Sequence, residues 1–422
     1  MLITTQRGGV RLFDPATFKV STLFTNDDNG LPIYIHTVLH RGNDEFWFGT
    51  EHGISVYSLR ELAFIRHIVK DPSNTASLSD NAVHALYEDR ESGIWIGTYF
   101  GGVDYLPAGT RDFRTLLPID SQSKPIANVV REIIPDTRGG LFVGTEDGGL
   151  CHYDPSNGLF SSMKGIEWHG KSITNNIQGL LVTGDSLWIG TFDEGLYIYD
   201  MRRSSIIAHY YSHSTADGLQ SNTIVQIFRT SDDEILIGTM AGMYHYERAS
   251  QTFVPIAGLR YSFVHCIYET LSHEILVGTF NNGLWQLDRP YQRAVRMPTE
   301  YEDLTTIFED SSNRLWIGTN THGLFLYDRA SRCMKTYDTN LSHPNITICK
   351  ILEDANGYLW ISTSNGLFCL NKSTYEIVRY GLHNSLPTDQ FNFNSGYLNA
   401  KGEIYIGTLS GMIAFNPTDI QQ

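Results

Sequence analysis

The chain has no run of eighteen apolar residues, so it carries no stretch able to cross a bilayer as a helix. Its opening residues, MLITTQRGGV, lack the apolar core of an export signal. Either a cytoplasmic chain or a piece separated from its signal is expected. Cysteine is scarce: Cys151, Cys266, Cys333, Cys349 and Cys369 are odd in number and fit no metal-ligand spacing. They read as buried free thiols. Basic residues are outnumbered, 31 Lys and Arg against 46 Asp and Glu, giving a formal charge of −15. Nucleic acid, whose phosphates require a basic footprint, is therefore not an expected partner. No HExxH, GxSxG, P-loop or CxxC motif occurs. No cofactor, metal site or catalytic residue is predicted.

What the chain does have is aromatic and glycine residues: 23 Tyr, 21 Phe, 7 Trp and 38 Gly in 422. With little Lys or Ala, this favours strands and tight turns over helices. A short motif recurs, for example FWFGTEHGISVY from Phe46, LWIGTFDEGLYIYD from Leu187 and LWIGTNTHGLFLYD from Leu315. Its threonine falls at 5, 50, 98, 145, 191, 239, 279, 319, 363 and 408, at intervals of 40 to 48 residues. That period with short strands is what four-stranded propeller blades require. Around Thr319 the strands read DLTTIFED, LWIGT, GLFLYD and CMKTYD. Trp47, Trp95, Trp188, Trp316 and Trp360 share one second-strand position, which predicts packing between blades. Trp285 occupies a repeated third-strand slot and reads as core.

The last unit ends without a fourth strand. Counting back seven motifs from Thr408 reaches Thr145, and the preceding segment DFRTLLPI, Asp112 to Ile119, would complete a ring. The expected fold is thus all-β: a β-propeller of four-stranded antiparallel blades, with a seven-bladed ring over 107–422. Residues 1–106 would be the C-terminal blades of a first propeller. A single nine-bladed ring, closed by Phe18 to Phe24, is the alternative.

The run LWIGT-x₂₋₃-G-L-x-x-YD, the turn EDANGYLW (Glu353 to Trp360) and the phrase SLSDNAVHALYEDRESGIWIGTYFGG (Ser77 to Gly102) resemble the two-component regulator propeller repeat. DQFNFNSGYLNAKGEIYIGTLSGMIAFNP (Asp389 to Pro417) does too. That resemblance implies a periplasmic sensor domain of a bacterial hybrid two-component system histidine kinase, with oligosaccharide ligands and a sensor that acts as a homodimer. The chain departs from the family in lacking most of a first propeller, the following β-sandwich, the membrane span and the kinase. It is therefore expected to be a fragment or a stand-alone derivative.

Strand direction places the fourth-to-first connections and the second-to-third hairpins on one face of the disc, where binding residues usually sit. Trp168 is the leading ligand-binding candidate, because it alone among the tryptophans lies outside any repeat position. An indole stacks on the apolar face of a sugar while its N–H donates. His169 beside it, Arg260, Tyr261, Tyr301 and His322 complete the set. Against these stands the plainer reading of solvated loop residues, and for Trp168 that of a plug under its own loop. Arg289, Arg293 and Arg296 form a basic cluster suited to an anionic sugar, or simply a solvated outer strand. Carboxylates lie mainly in repeated turns (Glu88-Asp89, Glu309-Asp310, Glu353-Asp354), as turn caps rather than the facing pair a glycosidase needs. Ligand sensing is the first functional reading, a scaffold for protein partners the second, and a propeller glycosidase or lyase the third.

Overall fold

Among the described residues, nine of the ten repeats carry a side-chain latch. In nine hairpins the threonine hydroxyl donates to the carbonyl of the glycine that ends the turn, as from Thr145 to Gly149 (2.8 Å) and from Thr363 to Gly366 (2.8 Å). A turn amide donates back to the same oxygen, for example Gly148 N to Thr145 Oγ1 at 3.0 Å. The glycine must turn left-handed to close the loop, and Gly149, Gly195 and Gly323 have φ of 80°, 86° and 81°. This is why Thr and Gly recur at fixed spacing. The structure is a computed structural model. It describes all residues except 1, 6–8, 27–29, 31, 43, 73–76, 91, 107–112, 121–123, 213–217, 337–344, 385 and 421–422.

A second device explains the Glu-Asp turns. Asp310 Oδ1 accepts the amides of Ser312 and Arg314, and its Oδ2 accepts the indole N–H of Trp316 at 2.9 Å. Asp354 does the same for Asn356, Tyr358 and Trp360. The aspartate thus shapes the turn and satisfies an indole buried six residues later. The adjoining glutamates reach backward instead. Glu353 accepts from the amide and hydroxyl of Ser311 in the preceding sheet, and Glu309 from the amide of Leu271. One acidic dipeptide therefore ties its own sheet and the one before it.

The chain divides into two compact units, Met1–Arg111 and Asp112–Gln422. Among the described residues the second holds seven four-stranded antiparallel sheets. Their innermost strands begin with Val130–Pro135 and Ile177–Thr183 and end with Phe391–Leu398. Each lies beside the next, and the last returns to the first. The short strand Arg114–Leu116 pairs antiparallel with Met412–Phe415, completing the last sheet from a distant segment. Apolar clusters fill the spaces between sheets, as Trp316 does against Ile348, Ile351 and Leu359 of the following one.

In six of the seven sheets of the second unit the residue before the threonine is a glycine that fits under the inner strand of the next sheet. A Cβ on Gly318 would stand 2.6 Å from Ile348 Cβ and from Thr306 Cγ2. Overpacking of this kind typically costs about 1–3 kcal/mol. Gly318→Ala is therefore expected to lower the chemical-denaturation midpoint with no change in slope. An unaltered midpoint would show that the sheets have room to separate.

At the ring centre the innermost strands are bulged. Phe391–Leu398 shifts register between Phe391 and Gly396, and the looped-out residues reach across the unit. Asn394 donates to the His265 carbonyl at 2.9 Å, Asn392 donates to Val130 O at 2.8 Å, and Phe393 lies edge-on to His265. Burial pushes the His265 imidazole down to about 4. Burial pushes the Glu132 carboxyl up to about 7, against the pull of Lys350 and Arg131.

Among the described residues the first unit has sheets of three, four and three strands. Lys19–Phe24, the segment that would close a nine-bladed ring, instead forms the outer strand on Gly9–Asp14. The tryptophan expectation also needs one correction. Trp47, Trp188, Trp316 and Trp360 are buried, whereas Trp95 is 46% exposed. Trp47 packs between the second and third sheets of the unit. Trp95 stands on the third sheet, whose outward face leaves Tyr87, Val103 and Tyr105 exposed as well. Its indole keeps the repeat's bond to aspartate, Asp89 Oδ2 at 2.9 Å. The hydrogen bond survives, and the ring contact is with Tyr105 of its own sheet, at 4.9 Å between centroids.

The cysteine reading matches: Cys151, Cys266, Cys349 and Cys369 are buried free thiols, and Cys333 is half-buried. Burial holds the first three at about 12, far from a reactive thiolate.

Candidate ligand-binding loops

The Trp168 loop is itself a small hairpin. Glu167–Trp168 pairs with Lys171–Ser172, and His169 and Gly170 turn it with φ of 51° and 76°. Both turn residues are left-handed, the geometry that matches strand twist. Trp168 is half-buried and packs on the cluster containing Ile173, Tyr197 and Ile206, while His169 is exposed. So the indole does plug its loop, but one edge remains open beside other rings.

Those rings were not legible from the loop alone. Trp168 lies edge-on to His169 (4.5 Å between centroids) and His209 (6.1 Å). His209 stacks on Tyr197 at 3.9 Å and on Tyr211 at 5.0 Å. His209 Nε2 donates to the Glu194 carbonyl at 2.6 Å, which fixes the ring. The Glu194 carboxylate accepts from Thr174 N and from the Tyr197 hydroxyl. Burial first, and the Glu194 charge second, push the Tyr197 phenol above its ordinary range. The fourth-strand run AHYYSH, beginning at Ala208, was the available signal. Its alternate aromatic side chains share one face of a strand.

The remaining residues form two further pairs. Arg260 lies over the Tyr261 ring at 5.2 Å, and Tyr261 is 70% exposed with φ of 64°. Tyr301 stacks on His322 at 4.2 Å, and His322 Nδ1 approaches Asp303 at 3.4 Å. The ring contacts of the first pair run to His209 and those of the third to Phe325, on different sheets. The six residues thus fall into three local clusters. Of the basic cluster, Arg289 is engaged by Asp232 and Glu269, and Arg296 by Glu302. Their charges are already matched. A groove of about 280 Å³ lies elsewhere, lined by Trp188, Ile207, Tyr210, Tyr246 and Arg248.

Sheets of this architecture define a β-propeller. Three segments of the chain, residues 77–100, 301–321 and 340–365, match the two component regulator propeller family. A histidine kinase of Formosa agariphila, histidine kinase P4, is 22% identical over 268 residues, covering 58% of this chain and 19% of the kinase. The extracellular domain of a proposed hybrid two component system from B. thetaiotaomicron superposes with a TM-score of 0.70 at 24% identity. It covers 99% of this chain and 55% of that one. A second such domain from the same organism gives a TM-score of 0.58 at 19% identity, covering 98% and 55%. The chain therefore spans about half the length of these solved domains and a fifth of the kinase. Among the described residues no helix is long and apolar enough to cross a membrane.

Proposed function

We propose that this chain is a ligand-sensing propeller on the extracytoplasmic side of a hybrid two-component signalling protein, that its ligand is an oligosaccharide, and that it performs no catalysis. The observation that carries the reading is the Trp168 hairpin, where a half-buried indole adjoins His169 and His209, the latter stacked on Tyr211. Flat rings held by a rigid sheet suit the apolar face of a pyranose, and their polar tips suit its hydroxyls. On this reading the periplasm is the compartment, and the parent sensor works as a homodimer. The unit Met1–Arg111 is then the C-terminal part of a preceding propeller.

The test is a thermal-shift panel of oligosaccharides. A ligand at a hundred times its Kd stabilises the folded state by about 2.7 kcal/mol. Trp168→Ala is expected to weaken binding about tenfold, the equivalent of about 1.4 kcal/mol, read as a smaller ligand-induced shift from the variant's own unliganded melting temperature. No shift with any glycan, or a shift that Trp168→Ala leaves intact, would remove the site. A second reading, a scaffold for protein partners, is favoured by the exposed face of Tyr87, Trp95, Val103 and Tyr105. A stable complex in pull-down, without any glycan response, would support it.

A further inference from the structure

The first unit carries a cluster that the sensing function does not use. His36 is the second residue of the strand Ile35–Arg41, and His84 the second residue of Val83–Glu88. These are the innermost strands of adjacent sheets. Both are bulged at the same point, because pairing skips from Ile35 to Thr37 and from Val83 to Ala85. The looped-out residue is in each case the histidine. A bulge re-aims the side chain it carries, and here two imidazoles are re-aimed at one place.

The third member follows from the hairpin latch. Glu51 comes directly after Thr50, and its Oε1 lies 2.7 Å from His36 Nε2 and 4.0 Å from His84 Nε2. The first sheet of the second unit shows the ordinary form of this arrangement. There the bulge residue is Arg131, and it pairs with Glu146, directly after Thr145, at 3.0 Å. In the first unit two neutral-capable imidazoles replace one permanent cation. Their rings stack at 4.0 Å with 13° between planes. The three donor atoms all lie within 4.8 Å of one another.

We propose that His36, Glu51 and His84 form a binding site for a divalent transition ion of the zinc class. Two imidazole nitrogens and one carboxylate oxygen are a donor set that zinc accepts, with a fourth position left to water. Calcium and magnesium require oxygen ligands and are not matched. Bonds of roughly 2.0–2.2 Å place tetrahedral donors about 3.4 Å apart, so on binding the 2.7 Å His36–Glu51 pair opens and the 4.0 Å His84–Glu51 pair closes. His84 is the member with room to adjust, since its side chain is 40% exposed and its Nε2 stands 4.0 Å from Glu51. His36, 15% exposed, already holds Glu51 through a hydrogen bond and serves as the fixed arm. Because the two histidines belong to adjacent sheets, a bound ion staples those sheets at their inner edge.

The experiment is isothermal titration of the chelator-treated full chain with zinc chloride, alongside cobalt(II) absorption in the visible range. One ion per chain is expected, with a rise in melting temperature and the intense cobalt bands of a four-coordinate site. His84→Ala and Glu51→Gln should each weaken binding at least tenfold. His52→Ala, which removes a neighbouring imidazole outside the set, should leave it unchanged. Metal-free melting curves of all variants separate loss of the site from loss of the fold. Absence of a stoichiometric site in the unaltered chain, or affinity retained when both His36 and His84 are alanine, overturns the proposal.

Discussion

Asp310→Ala is expected to destabilise the second unit by about 3–5 kcal/mol, the range typical of breaking a buried, hydrogen-bonded ion pair. The Asp310 side chain is fully buried and accepts from two turn amides, the Trp316 indole and the Arg314 guanidinium. Burial alone would raise its pKa. The indole, the backbone amides and the guanidinium outweigh that and hold the carboxyl below the ordinary range. Alanine would strand four donors, the indole among them in a fully buried residue. The equivalent change at Asp89 supplies the comparison. There the partner indole, Trp95, is 46% exposed, so water replaces the lost acceptor. A loss there of no more than about 1 kcal/mol is expected, the usual value of an ordinary hydrogen bond. Urea unfolding of the two variants decides the matter. Equal losses would mean that the aspartate acts only on its turn and not through the indole.

Glu132→Gln is expected to stabilise the protein at pH 8 by about 2–3 kcal/mol, and to change nothing at pH 4. The figure follows from a carboxyl raised from its ordinary 4.5 to about 7, at about 1.4 kcal/mol for each unit and reduced because the residue is only half-buried. Since the folded state holds this proton more tightly than the unfolded chain does, stability falls as pH rises between 4.5 and 7 and is level above. The uncharged amide removes that fall. His265 works in the other direction. Lowered from 6.5 to about 4, it makes the unfolded chain the better proton acceptor in that window, so stability falls as pH drops from 6.5 to 4. The two slopes oppose each other in the unaltered protein, and only the difference from the variant isolates Glu132. Melting temperatures of both proteins from pH 4 to 8 give that difference directly. A gap that stays constant across the range would falsify the assignment.

Much of the fold was legible because its determinants are local and repeated. The Thr-Gly latch and the Asp-to-indole bond span three to six residues, so their letters recur at fixed spacing. Trp95 shows where the letters stop. It occupies the same place in the motif as Trp316, yet its environment depends on whether another sheet follows, which no local pattern encodes. The candidate site was partly legible for the same reason. Trp168 stood out by breaking the period, whereas His209, about forty residues away, meets it only through packing between sheets and brings Tyr211 with it. His36, Glu51 and His84 were invisible to a search for metal spacing, since two strand positions in adjacent sheets and one hairpin-turn position bring them together. The sequence signal was the bulge position itself, occupied by His at 36, 84 and 265.

The strand Arg114–Leu116 matters beyond the sheet it completes. It joins Met412–Phe415 with Arg114 opposite Ala414, residues 300 positions apart (414 − 114). Six of the seven sheets in the second unit can form from contiguous chain, but the seventh waits for both of these segments. Contacts of such long sequence separation are slow to form and come late in folding. Once made, the joint leaves the second unit no terminal sheet that can peel away first. Opening then has to begin with the release of this three-residue clasp, and amide exchange at residues 114–116 reports how often that happens.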